Sequence, residues 1–345
     1  MTQAPATAAA IAAQEPDNPH LAARPARARR PEMFTLVLLI ALCVTVTVIN
    51  PSFLQASTLV DLARASVVPG LFALGVFVIL AAGGIDVSFT AIAALSMYSV
   101  TLAVQKYFPA TPMWLVLLVA TLGGGLLGLI NGVLVHALKA PSLIVTIGTQ
   151  YLFRGFLLTF IGTVWITSLP DQMDAFGKLA LLHFETQRGA HVILPAFFLA
   201  LPAAAGVTWW ILNRSLMGRA IFAAGGSQQI AERLGYNLRT IHLFAFAYAG
   251  ALAGLAGILY TSSNRLANPF DLVGTEIDVI AAVVLGGARI TGGTGTVTGT
   301  MLGVALVTVI DNVLILAGVP STYQRVVVGA FILVAGTFFV VRRRR

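Results

Sequence analysis

The segment Asn213-Arg214-Ser215-Leu216-Met217-Gly218-Arg219-Ala220-Ile221-Phe222-Ala223-Ala224-Gly225-Gly226-Ser227-Gln228-Gln229-Ile230-Ala231-Glu232-Arg233-Leu234-Gly235-Tyr236-Asn237-Leu238-Arg239-Thr240 is the longest interior run that is polar, basic and rich in turn residues. Long apolar segments flank it on both sides, so it is a loop between membrane spans and not a span itself. Its residues predict two short helices around a glycine turn. Ala220 to Ala224 form the first, Gly225-Gly226 end it through positive φ, and Ser227 caps a second that runs to Leu234 and is closed by Gly235. Arg214, Arg219, Arg233 and Arg239 mark the loop as cytoplasmic. It either fixes topology and nothing more, or it touches a cytoplasmic partner.

Working outward, the composition sets the class. The chain is 58% hydrophobic and 10% charged over 345 residues, whereas soluble domains carry roughly a quarter charged residues. It reads as an all-α polytopic membrane protein. The net charge of +8 resides in tails and loops beside apolar spans, not in one stripe, so topology accounts for it and no nucleic-acid partner is expected. Cys43 is the single cysteine, which excludes a disulfide framework within the chain. His20, His136, His183, His191 and His242 are scattered without metal-ligand spacing, and no metal site is expected.

Residues 1–32, with Arg24, Arg27, Arg29 and Arg30 before the first apolar run, read as a disordered basic cytoplasmic tail. No small-residue cleavage site follows that run, which argues against a signal peptide. The apolar transmembrane domain is expected over 33–341, with about ten spans near 33–50, 67–82, 87–104, 113–135, 142–162, 192–212, 241–262, 276–290, 296–318 and 325–341. An even count places both termini on one side. The basic end 342–345 matches the N-terminal arginines, so both are expected in the cytoplasm. Residues 163–190 form the longest external loop, either a connector or a surface for an outer partner. Glycines recur every fourth residue at Gly124, Gly128 and Gly132, at Gly250 and Gly254, and at Gly295, Gly299 and Gly303, predicting close helix approach within lipid.

Two interruptions stand out. Gly83-Gly84-Ile85-Asp86-Val87-Ser88 ends the second span, and Arg289-Ile290-Thr291-Gly292-Gly293 follows the eighth. By analogy with transporters whose sites form at broken helices, Gly83, Gly84, Asp86, Gly292 and Gly293 are the candidates for the translocation path or its gate. The ionisable groups that do not fall safely in loops are Asp86, Arg154, Glu276, Asp278 and Asp311. Each is either functional or a satisfied charge, such as an Arg154–carboxylate pair. Glu276 and Asp278 are expected at an outer interface. No phosphate loop occurs, since the single Gly-Lys pair, Gly177-Lys178, is followed by leucine. No His-Glu-x-x-His or Gly-x-Ser-x-Gly motif occurs either. No catalytic residue is expected, and any ATP that drives the chain must bind elsewhere.

The pattern Gly218-Arg219, Ala223-Ala224-Gly225-Gly226 and Ala231-Glu232-Arg233-Leu234-Gly235 resembles the coupling segment of bacterial sugar-importing ABC transporter permeases, the ribose and xylose permease family. Gly83 to Ser88, Pro141 to Gly148 and Glu276 to Gly287 resemble further blocks of that family. Ser227, Phe89 and Thr90 depart from its usual residues, so pore dimensions near Phe89 do not carry over. The resemblance implies a ten-helix bacterial inner-membrane permease that translocates a monosaccharide or related small polar solute. Its partners would be an ABC ATPase subunit that holds ATP and Mg, a second permease copy, a periplasmic sugar-binding protein and membrane lipid. Gly218, Arg219, Gly225, Gly226, Glu232 and Gly235 would couple it to the ATPase. Alternatives are a branched-chain amino acid or nucleoside permease of the same superfamily, or an ion-coupled carrier working alone through Asp86 or Asp311.

Overall fold

The computed structural model describes residues 31–185 and 191–316, together with Tyr323, Val326, Gly329 and Ala330. The basic tail to residue 30, most of the tenth expected span and the end 342–345 lie outside the described residues. The chain is mostly helical: α1 Pro31–Ile49, α2 Ala56–Ala65, α3 Val67–Ala81, α4 Phe89–Tyr107, α5 Met113–Leu138, α6 Ser142–Phe156, α7 Asp171–Lys178, α8 Ala200–Arg214, α9 Leu216–Gly226, α10 Gln228–Arg233, α11 Leu238–Asn264, α12 Glu276–Leu285 and α13 Val297–Leu316. Among the described residues six helical stretches are long and apolar enough to cross a membrane: Glu32–Ile49, Ala56–Ala81, Met113–Leu138, Ser142–Ile161, Ala196–Arg214 and Leu238–Asn264.

Two expectations are corrected by the geometry. The eighth span is only the ten-residue α12, which at 1.5 Å per residue rises about 15 Å and reaches half-way through a bilayer core of about 30 Å. The chain is also not purely helical. β1 Ala180–Glu185 and β2 His191–Pro195 pair antiparallel, so the sixth span loses its first residues to a strand. Val192 and Ile193 are β-branched and suit a pleated strand, and apolarity alone did not distinguish them from a helix start.

Burial follows the absence of a polar face. α3 is apolar throughout, and nearly all of its residues are buried, as expected of a helix that is hydrophobic all round. It packs on α11, α12, α13, α8 and α9. The glycine ridges face one another as the spacing requires. A Cβ on Gly128 would strike the Phe246 carbonyl oxygen, one on Gly250 the Gly124 carbonyl oxygen, and one on Gly254 the Ala120 carbonyl oxygen. α5 and α11 therefore meet backbone to backbone, which suits association where lipid supplies no hydrophobic drive. The α12–α13 contact repeats the device, with Gly299 set against the Gly286 carbonyl and Gly303 against that of Ala282.

The described part of the loop expected to be external, residues 163–185, is a packed cap. Ile166 and Ala267 exchange backbone hydrogen bonds at 3.0 Å, Met173 is fully buried, and Asp174 pairs with Lys178 and with Arg265 Nε at 2.6 Å. This cap sits at the end of α11 opposite to α9 and α10.

Candidate coupling and gate site

Segment 213–240 folds as two short helices with a boundary different from the expected one. Ser215 caps α9 by accepting from the Gly218 N–H at 3.1 Å. Ser227 caps α10 by accepting from the Ile230 N–H at 3.3 Å. Gly235 has φ +84° after α10, as the sequence required. Gly225 and Gly226, however, belong to α9 and do not have positive φ. At Gly225 the lack of a side chain serves close approach, whereas a Cβ on Gly226 would meet nothing within 4 Å.

What Gly225 approaches is the pair of helix breaks. A Cβ there would strike the Ala81 carbonyl oxygen and lie 2.5 Å from the Gly293 amide nitrogen. Gly83 and Gly292 adopt φ +86° and +90°, values that favour glycine. A Cβ on Gly292 would lie 2.7 Å from Gly83 Cα and 2.8 Å from the Gly225 carbonyl oxygen, and one on Gly293 would lie 2.9 Å from the Gly226 nitrogen. The Gly293 N–H donates to the Ala81 carbonyl at 3.1 Å. Residues distant in sequence, and taken as two separate groups there, form one three-way glycine junction.

The remaining positions of the segment separate by face. Gly218 and Gly225 are buried, whereas Arg219, Gly226, Glu232 and Gly235 are exposed, along with Leu216, Ile230 and Leu234. The buried glycines pack the segment onto the bundle, and the exposed residues leave a mixed charged and apolar surface.

The first break is held by polar side chains. Asp86 is 1% exposed and accepts from both the Ser88 N–H and the Ser88 hydroxyl at 2.7 Å. Asn131 of α5 donates to Ser88 Oγ at 2.6 Å. On the other side, Ser142 Oγ accepts from the Ile85 N–H at 2.8 Å and Thr146 Oγ1 from the Val87 N–H at 3.4 Å. An irregular segment among helices needs such partners, because no water satisfies its backbone.

Glu276 fits the satisfied-charge reading. It is 7% exposed and lies inside the bundle, where Thr90, Gln150 Nε2 at 2.8 Å and the Gly274 N–H at 2.9 Å donate to its carboxylate. The carboxylate opens α12, where the helix dipole favours negative charge. Thr90 and Gln150 escaped sequence reading because neither is ionisable. Asn131 had a signal, as the one amide in the glycine ridge of α5.

Beside the junction lies a cavity of about 480 Å³ lined by Gly83, Gly84, His136, Lys139, Ser142, Gln228, Glu232 and His242 among others. The His136 and His242 rings stand 6.1 Å apart, although sequence spacing gave no reason to associate them. A second cavity, also about 480 Å³, opens toward the opposite end between Arg64, Tyr260, Asn264, Thr275, Asp278, Thr308 and Asp311. Among the described residues no group of three or more His, Cys, Asp or Glu side chains is placed to hold a metal ion.

A helical bundle with paired breaks tied to a two-helix loop is the arrangement of a transport permease. The chain belongs to the family described as branched-chain amino acid transport system / permease component, whose model matches residues 58–336. Among curated proteins it is similar to the ribose import permease protein of Haemophilus influenzae, at 33% identity over 88% of this chain and 91% of that one. It is similar also to the ribose import permease protein of Bacillus subtilis, at 34% identity over 86% and 89%. The autoinducer 2 import system permease protein of Yersinia pseudotuberculosis is 31% identical over 86% and 81%. No solved structure matches.

Proposed function

We propose that this chain is the membrane-spanning subunit of an ATP-driven importer in the bacterial inner membrane, carrying a monosaccharide or a closely related small polar solute. The observation that supports this reading is the packing of Gly225 against Ala81 and Gly293. A partner that displaces α9 and α10 must move both helix breaks with them, because backbone-to-backbone contact leaves no compressible side chain between. ATP and Mg bind an ABC ATPase seated on the exposed residues Arg219, Ile230, Glu232 and Leu234. This chain contributes no catalytic residue. A second permease copy completes the path, a periplasmic sugar-binding protein delivers the solute, and the ribose permeases it resembles support a sugar as cargo. Ten membrane segments with both termini in the cytoplasm suit this assembly.

The test is to purify the tagged chain from its native membrane in mild detergent, identify bound subunits by mass spectrometry, and reconstitute the complex. Recovery of an ATPase subunit and ATP-dependent uptake of a sugar are expected. Recovery of the chain alone, with ion-driven uptake by that chain in liposomes, would overturn the reading in favour of a carrier.

A further inference from the structure

Helix α6 carries a polar residue at every fourth position: Ser142, Thr146, Gln150 and Arg154. The first three are employed. Ser142 and Thr146 hold the backbone of the first break, and Gln150 donates to Glu276. Arg154 makes no hydrogen bond or ion pair with any described residue, and the carboxylate partner that sequence reasoning offered for it is absent among the described residues.

Its position makes that notable. Arg154 lies 12 residues along α6 from Ser142, a rise of about 18 Å, within the membrane-crossing stretch Ser142–Ile161. It is half-buried, as is Gln150. The helix surface beside it is open: a Cβ on Gly155 would meet nothing within 4 Å, and Ile147 and Tyr151 are exposed. An unpaired guanidinium at this depth is costly against lipid and requires water or a polar partner.

We propose that the α6 face bearing Gln150 and Arg154 lines the aqueous solute path, and that Arg154 contacts the hydroxyl groups of the translocated polyol. Residues four apart on a helix are neighbours, about 5–6 Å between Cβ atoms. Gln150 spends its amide N–H on Glu276 and keeps its carbonyl oxygen as an acceptor, while the Arg154 fork offers only donors. An acceptor and a donor fork side by side match vicinal hydroxyls, each of which both donates and accepts. This inference rests on the importer reading and identifies the helix along which its cargo moves.

The experiment uses the whole importer, purified with its co-isolated subunits and reconstituted, with Cys43→Ala as the background because Cys43 is the single cysteine. D-Ribose, D-xylose and D-galactose serve as probes. Sugar uptake by the background complex tests the importer reading by itself. With Arg154→Cys added, a charged, membrane-impermeant methanethiosulfonate should label the site, and a transported sugar should slow that labelling. In the cysteine-bearing parent, Arg154→Ala should raise the KM for uptake by roughly tenfold. Arg154→Lys, which keeps charge and reach without the fork, should fall between. Labelling by a membrane-permeant maleimide but not by the charged reagent would show that Arg154 faces lipid and reaches toward headgroups, and would overturn the inference while the importer reading stood. An unchanged KM in both Arg154→Ala and Arg154→Lys would overturn it equally.

Discussion

The Gly293 N–H donates to the Ala81 carbonyl at 3.1 Å, joining the loop after α12 to the last residue of α3. Gly225 of α9 lies against the same two groups. The two helix breaks and the loop between α8 and α11 therefore move as a unit or break contact together.

Gly225→Ala places a methyl where the Ala81 carbonyl and the Gly293 amide stand. Overpacking of this kind costs about 1–3 kcal/mol. Expressed as a transport barrier, 1.4 kcal/mol is about tenfold in rate, so sugar uptake should fall by roughly that factor or more while the ATPase subunit still co-purifies. Gly206→Ala in α8, where the added methyl meets nothing, is the matched control and should leave uptake unchanged. Equal uptake by both variants would refute a transmitting role for the junction.

Glu276→Ala removes the acceptor for Thr90, Gln150 and the Gly274 N–H. Thr90 is the fully buried donor of the three, and one buried donor left unsatisfied costs about 1–3 kcal/mol, so the variant should lose at least about 1 kcal/mol. A lower midpoint of thermal aggregation in detergent would report it. Glu276→Gln, which keeps one acceptor oxygen, should be affected less.

Gly128→Val sets a branched side chain against the Phe246 carbonyl in the α5–α11 contact. The helices must separate, and about 1–3 kcal/mol or more is lost. The expected result is a markedly lower yield of monodisperse protein, with Gly123→Val, where a Cβ meets nothing within 4 Å, close to the parent.

In the cap beyond the end of α11, the hydrogen bond from Lys178, followed by the interaction with Arg265, holds the Asp174 carboxyl below the usual carboxylate range. A depressed folded-state pKa contributes stability above the unfolded value of about 3.9, and that contribution is lost as pH falls through the lower folded-state value. Protease cleavage of residues 163–190 should therefore accelerate as the medium is acidified below about pH 4. Asp174→Asn should cleave faster at neutral pH and show a weaker acid dependence. A parent and variant with the same acid profile would exclude this ion pair as the cause.

Much of the fold was legible because hydropathy and glycine spacing are properties of consecutive residues. α3, α5 and α11 fell where their apolar runs predict, and the ridges at Gly128 and Gly250 met as their spacing required. The caps at Ser227 and Gly235 were legible for the same reason, since a cap acts within one helical turn. α12 was drawn too long, to residue 290, because Gly286, Gly287 and Ala288 are small residues that an apolar helix tolerates, yet here they leave the helix. The donors to Glu276 were not legible because two of the three, Thr90 of α4 and Gln150 of α6, lie far from it in the chain.

The sequence alone determined that this is a polytopic membrane chain with a basic two-helix loop and two glycine-interrupted spans, since burial in lipid demands long apolar runs and any departure from them is visible locally. Only the tertiary structure decided that Gly83, Gly225 and Gly292 form one junction, that Glu276 is buried and hydrogen-bonded, and that Arg154 lacks a partner among the described residues. Each of those facts concerns atoms brought within a few ångströms by helix packing. Packing of that kind depends on how faces from distant parts of the chain fit together, which no pattern along a single segment encodes.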